Sequence, residues 1–178
     1  MFQYERDAQR VYEAVIKRME LFGLELSKEK TRILPFGRNC GTRESFDFLG
    51  FTHFNSKTRK GYYTVGHKIS RKKKEQFKSN LKKWVKENRN TQFDEFMKTL
   101  NKKLTGSINY YSLSGMIREI KCLWQHSLFV TFKWMNRRSQ RRSFKLDKFC
   151  EIWNDRIIHP YIHVDIWSGD KVIYIKNV

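Results

Sequence analysis

The chain has 178 residues, of which 39% are hydrophobic and 15% aromatic. This is enough apolar material for one medium domain or two small ones, and it excludes a disordered tail. The 37 lysines and arginines outnumber the 18 acidic residues and give a formal net charge of +19. Because so large an excess repels itself in a compact fold, it indicates a polyanionic partner.

The positive charge is unevenly distributed along the chain. Residues 1–51 carry a net charge of +1, whereas residues 52–178 carry +18. A generally basic proteome, or a surface selected for solubility, would spread the charge more evenly. The candidate partners are therefore RNA, DNA or an acidic membrane surface.

Cysteine usage and hydropathy suggest a cellular compartment. Cys40, Cys122 and Cys150 are far apart and odd in number, which predicts neither a zinc site nor a disulfide framework and fits a reducing compartment. No apolar run reaches the roughly 18 residues that span a bilayer, and the first residues do not resemble a signal peptide. We expect a cytoplasmic protein of a bacterium or an organelle, with no membrane partner.

The first third of the chain predicts one helix followed by short strands. Apolar residues recur every three or four positions over residues 7–22, which is typical of an amphipathic helix. Strands are expected at 30–36, 45–54 and 62–65, with 55–61 as a hairpin connection. The order of these elements indicates a mixed segment of helix and antiparallel strands.

The rest of the chain is helical and basic. Ser70 is placed to cap a first helix, and a second helix is expected to start at Asn90 or Thr91 and to end near Gly106. Two further helices are predicted at about 113–136 and 145–156. The predicted fold class is α+β, in which short strands are followed by a helical bundle.

Two clusters of cations are interleaved with aromatic residues. A helix covered with cations can neutralise several phosphates at once, whereas an ordinary solvated face, the alternative, is usually mixed in sign. The first cluster comprises Lys68, Arg71, Lys72, Lys73, Lys74, Lys78, Lys82, Lys83, Lys86 and Arg89. The second cluster comprises Lys133, Arg137, Arg138, Arg141, Arg142 and Lys145.

Aromatic side chains near these clusters have two interpretations. Trp134 and Phe144 flank the second cluster, and each either stacks on bases or belongs to the core. Of the adjacent Tyr110 and Tyr111, one is expected to pack and the other to be exposed.

The sequence predicts no catalytic or metal site within this chain. Two-metal chemistry needs converging carboxylates, but the sequence has no Asp-Asp pair, and Asp94-Glu95 is typical of the first turn of a helix. The five histidines show none of the spacings of a helical metal site.

Four sequence blocks resemble, in order, the group II intron reverse transcriptase/maturases. Residues 24–32 (LELSKEKTR) and 46–51 (FDFLGF) are similar to two blocks of the polymerase palm. Residues 100–111, which include Lys102 and Lys103, and residues 132–140, with their W-x-N-R-R-S pattern, are similar to the maturase-specific region. The resemblance covers about residues 1–150.

This resemblance implies a domain organisation and partners. Residues 1–67 would be the C-terminal part of the palm, and 68–156 the helical thumb or domain X. The resemblance does not cover residues 157–178, whose content of Ile, Val, Tyr and Trp predicts a tail that forms one or two strands or lies on the surface. Structured intron RNA or an RNA/DNA primer–template would be the partner. The two cation clusters, Lys102, Lys103, Tyr110 and Tyr111 would bind this partner.

Two further assignments follow from the resemblance alone. The turn at Leu49 and Gly50 would lie near the primer. Lys30 would match a lysine near the incoming nucleotide, and the alternative is a surface lysine at the entry to a strand.

The chain also departs from the family pattern. The aspartates that bind metal in the family lie in a Tyr-x-Asp-Asp block upstream of the residues that match 2–7 here. A complete relative is expected to use Mg²⁺, to copy RNA into DNA and to assist splicing, whereas we expect this chain to hold no cofactor and not to polymerise alone. The alternatives are a half-protein that complements an N-terminal polymerase fragment or self-associates through a sheet edge, and a non-enzymatic basic interaction module.

Overall fold

The computed structural model describes residues 2–27, 31–38, 44–138 and 143–162. Within these ranges the chain forms five helices and one sheet of three antiparallel strands in the order β1-β2-β3. The predicted α+β class is confirmed. The elements are α1 (Glu5–Leu21), β1 (Ser45–Phe48), β2 (Phe51–Lys57), β3 (Tyr63–Ile69), α2 (Arg71–Asn88), α3 (Phe93–Tyr111), α4 (Ile117–Met135) and α5 (Leu146–Arg156).

The chain divides into two compact units. The first contains residues 1–45 and 55–64, and the second contains residues 46–54 and 65–178. Helix α1 lies in the first unit, whereas α2 to α5 lie in the second. The domain boundaries expected after residues 67 and 156 stay predictions.

Helix α1 confirms the helix predicted at 7–22. Glu5 and Asp7 occupy its first turn and Arg18 its last, which is the arrangement of charges that the helix dipole favours. Gly23 follows the helix with a φ of +68°, a left-handed conformation that ends helices and that glycine adopts without strain.

Two strand predictions were wrong. Residues 31–36 form no strand, because Pro35 lacks the N–H that a ladder needs and the run is short; Lys30 lies outside the described residues. The single strand expected at 45–54 is interrupted by a turn at Leu49 and Gly50, where φ is +50° and +83°. Positive φ at both positions is typical of a two-residue hairpin turn, but leucine is an unfavourable residue for it.

The core of the second unit lies between helices α2 to α5. Val85, Leu100, Met135, Phe149 and Trp153 are fully buried there. Burial of each large apolar side chain contributes about 1.5–3 kcal/mol, so this cluster holds the four helices together. A second cluster of buried side chains surrounds Ile108, Met116 and Ile120 at the other end of α3 and α4.

Helix α3 differs from its prediction at both ends. It begins after Gln92 rather than Asn90 or Thr91, and it continues through Gly106 to Tyr111. The apolar stripe extends across the glycine, since Leu104 and Ile108 are both buried. Their burial outweighs the roughly 1 kcal/mol that a glycine costs inside a helix. Ser70 takes the N-cap position of α2 as predicted, without a side-chain capping hydrogen bond.

The start of the C-terminal tail packs on the helical bundle. Ile157, Pro160 and Ile162 are buried. The backbone N–H of Ile158 donates to Asn101 Oδ1 at 2.9 Å, and Trp124 Nε1 donates to the Ile158 carbonyl at 2.9 Å. Residues 157–162 are thus fixed to α3 and α4, and the remaining tail, 163–178, lies outside the described residues.

Candidate nucleic-acid interface

The first cation cluster lies mostly on the solvent side of α2. Leu81 and Val85 are buried in the core. At about 100° per residue, Lys72 and Lys83 lie on the opposite side of the helix. Seven members of the cluster are exposed, namely Lys68, Arg71, Lys72, Lys73, Lys82, Lys83 and Lys86.

Two lysines of α2 are turned toward α4 instead. Lys74 Nζ lies 2.6 Å from Glu119 Oε2, and each of these side chains is 29% exposed. Lys78 is half-buried beside His126, and burial together with the charge of Lys78 lowers the pKa of His126. Lys74 therefore already has an anionic partner within the protein.

The lysines of α3 extend the surface of α2. Lys102 is exposed, and Lys103 Nζ lies over the ring of Trp84 at 5.3 Å from its centre. Trp84 is half-buried and stacks on Phe96 with ring centres 5.0 Å apart. The structure thus brings Lys103 next to the lysines of α2, a juxtaposition that sequence spacing did not reveal.

The two tyrosines at the end of α3 behave as expected, since Tyr111 is buried and Tyr110 is 54% exposed. The ring of Phe51 stacks on Tyr110 at 5.7 Å and meets Tyr111 edge-on at 5.5 Å. Tyr110 Oη donates a 2.6 Å hydrogen bond to the carbonyl of Leu49. This hydrogen bond fixes Tyr110 to the turn at Leu49 and Gly50. The tyrosine predicted to contact nucleic acid and the turn predicted to lie near the primer are therefore side by side.

The ring of Trp134, near the end of α4, lies close to cations from the C-terminal end of α2 and from the residues that follow α4. Lys86 Nζ lies 5.9 Å from the ring centre, Arg89 Cζ 5.5 Å and Arg137 Cζ 5.4 Å. The indole itself is half-buried and packs against the main core. Of its two interpretations, the core position is the one observed.

Phe144 is likewise a core residue. Its ring stacks on Phe93 at 5.4 Å and meets Phe149 at 5.6 Å. Its backbone is paired with the side chain of Asn136, which donates from Nδ2 to the Phe144 carbonyl at 3.1 Å and accepts from the Phe144 N–H at 2.8 Å.

Arg138 is more buried than its position in a basic run suggested. It is half-buried and donates from its guanidinium to the Thr91 carbonyl at 3.3 Å, and burial lowers its pKa. Within the described ranges its Nε atom has no hydrogen-bond partner. The predictions for Lys30, Arg141 and Arg142 concern residues outside the described ranges.

Comparison with known protein families identifies this region. Residues 74–150 match the family model "Group II intron, maturase-specific domain". These residues are similar to the group II intron maturase-specific domain. The match runs from the first turn of α2 into α5 and confirms the resemblance noted in the sequence over these residues. Searches of the curated proteins and of the solved structures gave no match.

Within residues 74–150, the cations around Trp134 outnumber the negative charges of the helix ends beside them. Lys86 and Arg89 lie at the C-terminal end of α2, and Arg137 follows the end of α4. Each helix C-terminus contributes about half a negative charge. None of the ion pairs formed by the described residues includes these three cations. The three cations therefore have no carboxylate partner among the described residues.

The described residues contain no group of three histidine, cysteine or carboxylate side chains placed to hold a metal ion. The sequence did not predict that His53 and His67 lie with their Nδ1 atoms 2.9 Å apart on neighbouring strands. Burial and the neighbouring His53 lower the pKa of His67. Of the helices in the described ranges, none is long and apolar enough to cross a membrane.

Proposed function

We propose that this chain binds structured group II intron RNA through the cations of its maturase-specific domain. The observation that carries the proposal is the position of the exposed cations of α2: Lys82, Lys83 and Lys86 lie within the matched residues, and Arg71, Lys72 and Lys73 directly precede them. Phosphates repeat along an RNA strand, so that cations on successive turns of a helix neutralise several of them and release their counterions.

The same geometry favours a nucleic acid over an acidic membrane surface. A helix that binds a membrane presents an apolar face beside its cations. The apolar residues of α2 are instead turned into the bundle, where Leu81 and Val85 are buried and Phe77 and Trp84 pack against the core. The exposed side of α2 thus offers charge with little apolar surface.

Matched charge variants test the proposal. The α2 variant, K72Q/K82Q/K83Q, and the α1 variant, R6Q/R10Q/K17Q, each remove three exposed cations, but only the α2 variant changes residues within 74–150, at Lys82 and Lys83. RNA hairpin binding is measured over a salt series. The α2 variant should lower the logarithmic salt slope by about one for each lysine that contacts phosphate, and the α1 variant should leave it unchanged. Equal effects of the two variants would reject the proposed surface.

A second proposal concerns DNA synthesis. The palm-like block at 46–51 ends in the turn that Tyr110 of α3 holds, which supports a functional connection between a polymerase palm and the maturase-specific domain. We expect the chain to act together with a segment that carries the Tyr-x-Asp-Asp block, on the same or on another polypeptide, with Mg²⁺ bound by those aspartates. Mixing the two and measuring primer extension on an RNA template tests this, and an absence of extension with a folded complex rejects it.

A further inference from the structure

The cations around Trp134 differ in arrangement from those on the exposed side of α2. Lysines on α2 are spread along the helix, whereas Lys86, Arg89 and Arg137 lie at 5.4–5.9 Å from one ring centre. Charges this close are separated by about a Debye length or less, so salt screens their mutual repulsion only partly. The attraction of the indole for cations, about 0.5–2 kcal/mol each, offsets part of that repulsion.

The surroundings of the ring hold this cluster in place. Trp134 is anchored in the core. Asn136, two residues further along, fixes the backbone of Phe144, and Arg138 fixes the α2–α3 connection through the Thr91 carbonyl. The backbone on both sides of Arg137 and that following Arg89 are therefore restrained, which lowers the conformational entropy that ligand binding would remove.

We propose that Lys86, Arg89 and Arg137 form a clamp for the phosphodiester backbone of RNA, with Trp134 as the platform that holds the three cations together. The clamp rests on the proposed function and adds to it the chemical group that these three cations bind, which is the phosphate of the RNA backbone. Two arginines supply planar donor pairs that match phosphate oxygens, and the lysine supplies a point charge. The indole is surrounded by these cations and by the core, so the clamp recognises phosphate and not base.

The first test follows Trp134 directly. The indole N–H signals of the isotope-labelled full chain are recorded during titration with an RNA hairpin, and W134F assigns the signal of Trp134. The clamp predicts that this signal moves in step with binding, and that hairpins of the same shape but different sequence move it equally. A Trp134 signal that stays in place while RNA saturates the chain would overturn the clamp.

The second test compares variants that remove equal charge. The clamp variant, K86Q/R89Q/R137Q, should lose about tenfold more affinity for the hairpin than the α2 variant, since its three cations act on one place. A loss no larger than that of the α2 variant overturns the clamp but leaves RNA binding by α2 intact. No binding by the unaltered chain overturns both proposals.

A charge-conserving variant distinguishes the effect of the arginine side-chain geometry from that of net charge, and a check of folding accompanies it. R89K/R137K keeps the net charge but removes the two-pronged contacts, so we expect a loss of affinity of about threefold to tenfold with an unchanged salt slope. Thermal unfolding shows that each variant is folded. Should the clamp variant unfold, the titration of the unaltered chain still decides the question, because it needs only W134F for assignment.

Discussion

The side-chain amide of Asn136 hydrogen-bonds both backbone polar groups of Phe144. Nδ2 donates to the carbonyl at 3.1 Å, and Oδ1 accepts from the N–H at 2.8 Å. The amide therefore pairs with the Phe144 backbone as a neighbouring β-strand would. It links the two residues that flank the arginine-rich segment 137–143. This contact gives a structural role to the asparagine of the W-x-N-R-R-S pattern.

Replacing Asn136 should destabilise the bundle. N136A leaves the half-buried N–H and carbonyl of Phe144 without this partner, which costs about 1–3 kcal/mol of the free energy of unfolding. Asn88 is the matched control, since among the described residues its amide hydrogen-bonds only the Trp84 carbonyl, at 2.8 Å, and N88A should cost about half as much. Urea denaturation measures both, and equal losses would contradict the bridging role of Asn136.

Lys74 should matter for stability more than for RNA binding. Because its ammonium is paired with Glu119 across α2 and α4, K74Q leaves the carboxylate unpaired and should cost about 1 kcal/mol. The control is the exposed Lys72, for which K72Q should weaken RNA binding and leave stability unchanged. Unfolding and hairpin binding are measured on both variants. If K74Q weakened RNA binding as much as K72Q does and left the stability of the chain unchanged, the ion pair would have no structural role.

Two glycines should respond to alanine in opposite directions. Gly106 lies inside α3 with nothing within 4 Å of an added Cβ, so G106A should stabilise the chain by about 0.5–1 kcal/mol through better helix propensity. At Gly66 of β3 the added Cβ would lie 2.5 Å from the ring of Phe54 on β2, so G66A should destabilise it. Urea unfolding of both variants checks the pair, and a destabilising G106A would contradict the helical course of residue 106.

Stability should fall as the pH falls through about 6.5. Burial lowers the pKa of His67 and of His126, with His53 and Lys78 as the further causes. The unfolded chain therefore takes up protons near the ordinary pKa of about 6.5, before the folded chain does. The contribution of these two histidines to the free energy of unfolding is complete above that pH. It decreases as the pH falls below it and stops changing below the pKa values of the folded chain.

The melting temperature at about pH 7.5 and about pH 5.5 measures this dependence. H67Q/H126Q removes both titrating groups, so its melting temperature should change less over the same interval. A double variant with the full pH dependence of the unaltered chain would assign the effect to other groups.

The sequence alone was enough to predict the α+β class, helices α1, α2, α4 and α5 to within a few residues, and the family of residues 74–150. These features depend on local properties. Apolar periodicity marks the buried face of a helix, and an excess of lysine and arginine indicates a polyanion whichever way each side chain points. The sequence predicted that one of the two adjacent tyrosines packs and the other is exposed, and the structure shows that Tyr111 is the buried one.

Only the tertiary structure decided which cations are free and which are engaged. Lys72 and Lys74 are two positions apart in the sequence, yet Glu119, 45 residues beyond Lys74, pairs with Lys74, whereas Lys72 is exposed. The gathering of Lys86, Arg89 and Arg137 on Trp134 likewise needs the ends of α2 and α4 to meet. A contact between distant elements depends on how helices pack, and packing is set by the whole core and not by any local run of residues.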